Sequence, residues 1–452
     1  MKCKDLLVEL GETPIFALRS NNRRCWTRRL EKRSGNKGGG GNAADEDDKA
    51  SINSDRTEST VQLSDGDEGM SEMEAYERKV REAMDLALEK SVHTRTNALT
   101  ALTTALQKRV LSHFLLDHHQ TLCDLIERSL RKGRGPEQVA AARLASLLVL
   151  SLSHMVEAEQ VYKTLAPVLT VVVTDPSASL NGRQEVALTL AMTAFLACHD
   201  LADVTATMNT LHGVFAASLP KGNGELPNHA PALTALHTSA LNGFCLLMCL
   251  LSPSSVYTMA NKLVREMYDL LGCSDVDLRI QAGEAVALLY EAARLHDEDY
   301  SWNREGELCA ALKDLATDSH KFRAKKDRKQ QRASFRDVVR TVEEGELPCE
   351  TVTVGPQHQR QELLLDTWSL KWQYASLCHT LGIGLNNHIT FNIGVRDMFD
   401  LGPPPLQLDR GMLSLARRSQ KKPNRESPAC KARHMARNKN RDNRAAAKTY
   451  DD

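Results

Sequence analysis

From about Ser71 to Leu315 the chain repeats apolar residues at helical spacing, and two kinds of segment alternate. One kind is Ala-rich and apolar on most sides: TRTNALTALTTAL, EQVAAARLASLLVL, RQEVALTLAMTAFLA, APALTALHTSALNGFCLLM and LRIQAGEAVALLYEAA. The other is amphipathic, as in Thr121 to Leu130 and Val256 to Leu271. Pro136 with Glu137, and Ser254-Ser255, read as helix starts. Breaks are expected at Lys132-Gly133, Asp175-Pro176, Asn181-Gly182, Leu219 to Pro227 and Gly272 to Asp275, with His118-His119 in a turn between helices.

The Ala-rich segments recur evenly. Taking Ala98, Ala142, Ala187, Ala232 and Ala282 as equivalent gives lags of 44, 45, 45 and 50 residues, the range of two- or three-helix armadillo or HEAT units. No such unit buries its own apolar face, so neighbours must stack. A non-repetitive helical bundle is the competing reading, and the even spacing favours an all-α, armadillo/HEAT-like helical solenoid.

After Leu315 the pattern changes. Residues 321–340 carry nine Lys and Arg against two Asp. Arg328, Arg332, Arg336 and Arg340 recur every four residues, with Lys325 and Lys329 among them, beside an apolar face of Phe335, Val338, Val339 and Val342. A Glu-rich turn around Glu343 to Glu346 follows, then one strand at Glu350 to Val354 before Gly355-Pro356. Residues 361–401, with Trp368, Trp372, Phe391 and Phe399, read as a small mixed module ending at Gly402-Pro403-Pro404-Pro405.

Composition adds the ends. Residues 1–41 are basic and 42–73 acidic and Ser-rich without apolar period, so both are expected to be disordered. The formal net charge is zero, yet residues 403–452 hold 13 Lys and Arg against 5 Asp and Glu, a net of +8. Within that tail Arg433, Arg437, Arg441, Arg444 and Lys448 are spaced by 4, 4, 3 and 4 and would fall on one helical face, flanked by Lys431 and Lys439. Such a rod is stabilised by phosphates. A solvated basic tail or a nuclear-localisation run is the alternative. Slight aromatic interleaving points to backbone contact rather than base readout.

Chemistry for catalysis is not legible. Cys245 and Cys249 sit four apart on an apolar helix without a second ligand pair at zinc spacing. Gly382-Ile383-Gly384 lacks the third glycine of a dinucleotide fingerprint. The eleven cysteines are scattered singly and read as core residues of a reducing compartment. The longest nearly apolar window, around Phe244 to Leu251, is too short to span a bilayer, and the N-terminus is a poor signal peptide. The expectation is a non-enzymatic protein with no cofactor, metal, membrane or small-molecule substrate.

Three segments together resemble the interferon-related developmental regulator family: DLRIQAGEAVALLYEAAR at 277–294, LATDSHKFRAKKDRKQQRASFRDVVRTVEEGE at 315–346, and the stretch holding LGIGLNNH at 381–388 and VRDMFDLGPP at 395–404, followed by KARHMARNKNRD at 431–442. The resemblance covers roughly residues 75–445. It implies an armadillo-like fold with a small C-terminal domain, and either a transcriptional co-regulator of differentiation or a factor on non-translating ribosomes with a C-terminal helix in the mRNA path.

The expected organisation is a disordered 1–71, a solenoid at 72–318, a basic helix and linker at 319–349, a small C-terminal domain at 350–404, and a basic tail with terminal helix at 405–452. The expected function is ribosome binding and translational repression, with ribosomal RNA contacted by basic helices. The alternative is a nuclear scaffold for transcription factors or co-repressor proteins. Cytoplasmic and nuclear localisation follows from holding both.

Overall fold

The computed structural model describes residues 72–222, 224–317, 325–356 and 360–405, so the expectations for 1–71 and for the tail beyond 405 lie outside it. Glu72–Leu86 (α1), Val92–Lys108 (α2), Ser112–Lys132 (α3), Pro136–Leu152 (α4), Glu157–Thr174 (α5), Leu180–Ala197 (α6), Leu201–Phe215 (α7), Pro231–Met248 (α8), Pro253–Leu270 (α9), Val276–His296 (α10), Glu305–Thr317 (α11) and Lys325–Val339 (α12) form a stacked series. The Ala-rich helices α2, α4, α6, α8 and α10 pack one on the next as an inner layer, and the amphipathic helices flank them as an outer layer. This is an all-α helical solenoid.

The two layers follow from the two sequence types. In α4 every residue from Leu144 to Leu152 is buried, because inner neighbours, outer helices and the returning C-terminal segment cover it on all sides. Small residues permit that close packing. A Cβ on Gly243 would meet the Ala191 Cβ at 2.7 Å, so α6 and α8 touch where neither carries bulk. The inner layer is also tied by a repeating ion pair. Arg95 holds Glu137 through two bonds of 2.6 and 2.9 Å between α2 and α4, and 3.0 Å separates Arg143 from Glu185 between α4 and α6.

Several local expectations are corrected. His118 and His119 lie inside α3, which runs well past the predicted Thr121 to Leu130. Asn181-Gly182 is no break but the first turn of α6, capped by the Ser179 hydroxyl on the Gly182 amide. Ser252, not Ser254-Ser255, caps α9, with Pro253 in its first turn. Ala232 is exposed in the first turn of α8, so the loop before that helix shifts the repeat there and Ala232 is not the equivalent of buried Ala187. The Glu343 region is one π-helical turn, Arg340–Glu344, closed by Gly345 at φ 67°.

Glu350–Val354 (β1) pairs antiparallel with a strand the pattern did not predict, Gln361–Leu365 (β2), in the register Val352 opposite Leu363. Trp368–Leu381 (α13), a 3-10 turn at Gly382–Gly384, Leu385–Phe391 (α14) and Ile393–Met398 (α15) follow. These do not stand apart as a module. They run back across the inner layer, α13 over α10, α8 and α4, then α14 and α15 onto α2 and α4. Among the described residues, no helix is long and apolar enough to cross a membrane.

Candidate nucleic-acid interface and the strap that positions it

Helix α12 docks on α10 and α11 through Gln331, Phe335 and Val338, and Val342 of the π-helical turn that follows is buried with them. Phe335 fills the space left by Gly283, where a Cβ would lie 2.5 Å from its ring. Val339 is only half-buried. The arginine stripe begins at the margin of this face and drifts off it, because four residues overshoot a 3.6-residue turn by about 40° per step. Arg328 is accordingly half-buried, and its Nε lacks a hydrogen-bond partner among the described residues. Arg332 is half-buried, its Nε donating to the Arg328 carbonyl at 3.2 Å. Lys329, Arg336 and Arg340 are exposed, and Arg340 has a loose pair with Asp337 at 3.8 Å. The free basic edge is therefore shorter than the sequence stripe. The side chain of Lys325, and Lys431, Arg433, Arg437, Lys439, Arg441, Arg444 and Lys448 of the tail, lie outside the described residues.

The C-terminal strap is what sequence reasoning missed. Its first end is held by buried Glu291 on α10, whose carboxylate accepts the Trp368 amide at 2.6 Å and the Ser369 amide at 3.2 Å at the start of α13. Burial pushes that carboxyl up to about 8, although both amide bonds pull it down. The Trp368 indole donates to the Thr341 hydroxyl at 2.9 Å, clamping the end of α12 to the strap. One turn on, the Trp372 indole donates to the side-chain and main-chain oxygens of Asn242 on α8.

The far end of the strap caps the inner helices. The last carbonyls of a helix have no partner within it. At α2, Asn387 donates to the Lys108 carbonyl at 2.9 Å and His388 Nε2 to the Leu106 carbonyl at 2.8 Å. At α4, Asn392 donates to the Leu150 carbonyl at 3.3 Å. His388 is fully buried, and burial lowers its pKa, so the ring is neutral with its proton on Nε2. Gly384 presses so close that a Cβ there would lie 2.1 Å from the Gln107 carbonyl oxygen. The glycines, Asn387 and His388 of LGIGLNNH thus serve a helix end far away in sequence, 282 residues in the case of His388 and Leu106.

Arg396 gathers the chain at the end of the strap. It is 1% exposed, and its guanidinium donates to the carbonyls of Gly402 (2.8 Å), Ile389 (3.0 Å), Thr390 (3.4 Å) and Leu401 and to Gln361 Oε1 (3.0 Å). Burial lowers its pKa, and Asp397 offsets part of that. Phe399 and Leu401 are drawn in behind it, with Asp400 at φ 52° making the turn.

The strap leaves part of the inner face open. A cleft of ≈ 870 Å³ lies between the first halves of α4 and α6 and one face of α2, edged by His379 and Thr380. Thr96, Thr100 and Thr104 line it, and each hydroxyl donates to the carbonyl four residues back, leaving lone pairs toward the cleft. Glu185 is its buried acid: burial would raise its pKa, but hydrogen bonds and charge from His379 and Arg143 prevail and hold it low. Among the described residues no group of three or more His, Cys, Asp and Glu could hold a metal ion.

Compared with known proteins, residues 49–343 match the family described as interferon-related developmental regulator, and residues 392–445 match its companion, interferon-related protein conserved region. The rat protein named interferon-related developmental regulator 1 is 38% identical over 390 residues, 84% of this chain and 85% of that one. The human protein of that name is 37% identical over 385 residues, 84% of each chain, and mouse interferon-related developmental regulator 2 is 36% identical over 377 residues, 83% of this chain and 84% of that one. A solved engineered protein aligns with 58% of this chain and 97% of its own at a TM-score of 0.37 and 14% identity.

Proposed function

The chain belongs to the interferon-related developmental regulator family, and on that premise we propose that it is a non-enzymatic regulator of gene expression that binds ribosomes and represses translation. The relatives carry the name of regulators, not of enzymes. In this reading the exposed edge of α12 and the basic tail contact ribosomal RNA through phosphates, and the tail occupies space that mRNA needs. Steric exclusion requires no catalytic group.

The observation that carries the reading is Arg396. A buried cation that gathers four carbonyls and one amide oxygen is a costly way to end a domain unless the point of departure matters. What departs there is the segment of net charge +8. The test compares the intact chain with one stopped at Pro423 on sucrose gradients of cell extract. Co-migration with monosomes that is abolished by truncation, together with relief of translational repression, is expected. If both chains stay at the top, ribosome binding is excluded.

The open, acceptor-rich cleft favours a second reading, in which a protein segment from a transcription factor or co-repressor docks between α2, α4 and α6. Substituting Thr96→Arg, which lines the cleft, would then abolish co-precipitation of nuclear partners while leaving the gradient profile unchanged.

A further inference from the structure

The inner layer is unfinished at its first end. Helices α4, α6 and α8 each have an inner-layer neighbour on both sides, whereas among the described elements α2 has α4 on one side only. On its other side a groove of ≈ 540 Å³ opens between α2 and α1. Its floor is apolar or small, from Tyr76, Val80, Ala83, Ala101 and Ala105, and its rim carries Lys79 and Lys108. Both lysines are exposed, and neither forms an ion pair among the described residues. A terminal unit of a stacked array needs a cover for such a face.

We propose that this groove is the docking site of the chain's own residues 59–70, which lead directly into α1. Entry geometry supports it. Glu72 at the start of α1 pairs with Arg109 just beyond α2, and the Tyr76 hydroxyl donates to the Ala105 carbonyl at 3.0 Å, so the chain arrives at the Lys108 end of the groove. The groove is short, since Asn97 to Lys108 spans only ~17 Å of helix. Gly66 and Gly69 offer a place to turn back along it.

Chemistry supports the same occupant. Val61 and Leu63 alternate with polar residues and suit a narrow apolar floor, while Asp65, Asp67 and Glu68 follow, where Lys79 and Lys108 wait. The family match begins at residue 49, so the segment belongs to the same matched unit as the solenoid. A second copy is the poorer occupant, because a twofold contact would set Lys79 and Lys108 against their own equivalents. The tether also keeps the segment at millimolar effective concentration, so even a weak contact is populated.

The experiment places a photo-crosslinking phenylalanine analogue at Leu63 in the full-length chain. After irradiation, crosslinked peptides are mapped in the monomer band. Crosslinks concentrated on residues 76–83 and 97–108 are expected, with the yield falling roughly fivefold in the Lys79→Glu/Lys108→Glu variant, as two weak exposed pairs predict. Both lysines are exposed, so circular dichroism should confirm an unchanged fold. A second variant, Ala101→Trp, fills the groove and should remove the crosslink altogether. Crosslinks scattered without preference for the groove overturn the proposal, as do crosslinks confined to a dimer band, which would make a second copy the occupant. Ribosome binding has no part in either readout.

Discussion

Two buried titratable residues hold the strap, and their protonation pulls in opposite directions. His388 has its folded pKa below the ordinary 6.5, so the unfolded chain binds the proton better. Its contribution is therefore complete above pH 6.5 and is lost as pH falls below that. Glu291 has its folded value raised from 4.5 to about 8, so its contribution is complete below pH 4.5 and is lost as pH rises through about 8. Thermal melts from pH 5 to 8 should show the stability gap between wild type and His388→Ala widening with pH, and the gap between wild type and Glu291→Ala narrowing. Parallel curves would show that neither group is coupled to folding. Each substitution also strands buried backbone groups, at about 1–3 kcal/mol, read as a lower denaturation midpoint. Arg396→Met removes one cation from five oxygens and should cost at least as much, with faster hydrogen exchange of the Phe399 to Gly402 amides.

At the scale of elements, the strap and α12 are read differently by mutation. Gly384→Ala places a methyl group against the Gln107 carbonyl oxygen, a backbone atom that cannot swing aside. A loss of about 1–3 kcal/mol is expected, measured by denaturant titration, with the α2 C-terminus the first region to lose exchange protection. Helix α12 has one face for folding and another for charge. Reversing Lys329, Arg336 and Arg340 to Glu touches only exposed positions, so the melting temperature should hold. If that edge meets phosphates, ribosome association should weaken and its log–log salt slope should fall by roughly one for each phosphate no longer neutralised. An unchanged slope would remove α12 from the interface. Much of this level was legible beforehand: a helix with Phe335 and Val338 on one side and arginines on another follows from spacing alone. The depth of Arg328 and Arg332 was not, because it depends on where α10 and α11 lie.

For the whole molecule, the strap turns an open stack into a clamped one. Solenoids are stabilised by nearest-neighbour contacts and unfold readily from their ends. Here α13 to α15 join α10 to α2, so the fifth inner helix is coupled to the first. A chain ending at Pro348 should lose cooperativity, broadening its denaturant transition, and should bind a hydrophobic dye through the bared inner face. A transition as sharp as wild type would show that the stack holds without its strap.

The sequence by itself determined the helices, their alternation of Ala-rich and amphipathic types, the solenoid and the basic elements, because these depend on contacts within a few turns and on composition. Even the family resemblance rested on local strings such as LGIGLNNH and VRDMFDLGPP. Only the tertiary structure decided what those strings do. Asn387, His388 and Arg396 are polar residues that satisfy carbonyls of α2, of α14 and of the chain exit, partners set by packing rather than by spacing. The unpredicted β2 and the return of α13 to α15 share this origin. A short strand exists only when paired, and a polar strap is stable only where unsatisfied helix ends await it.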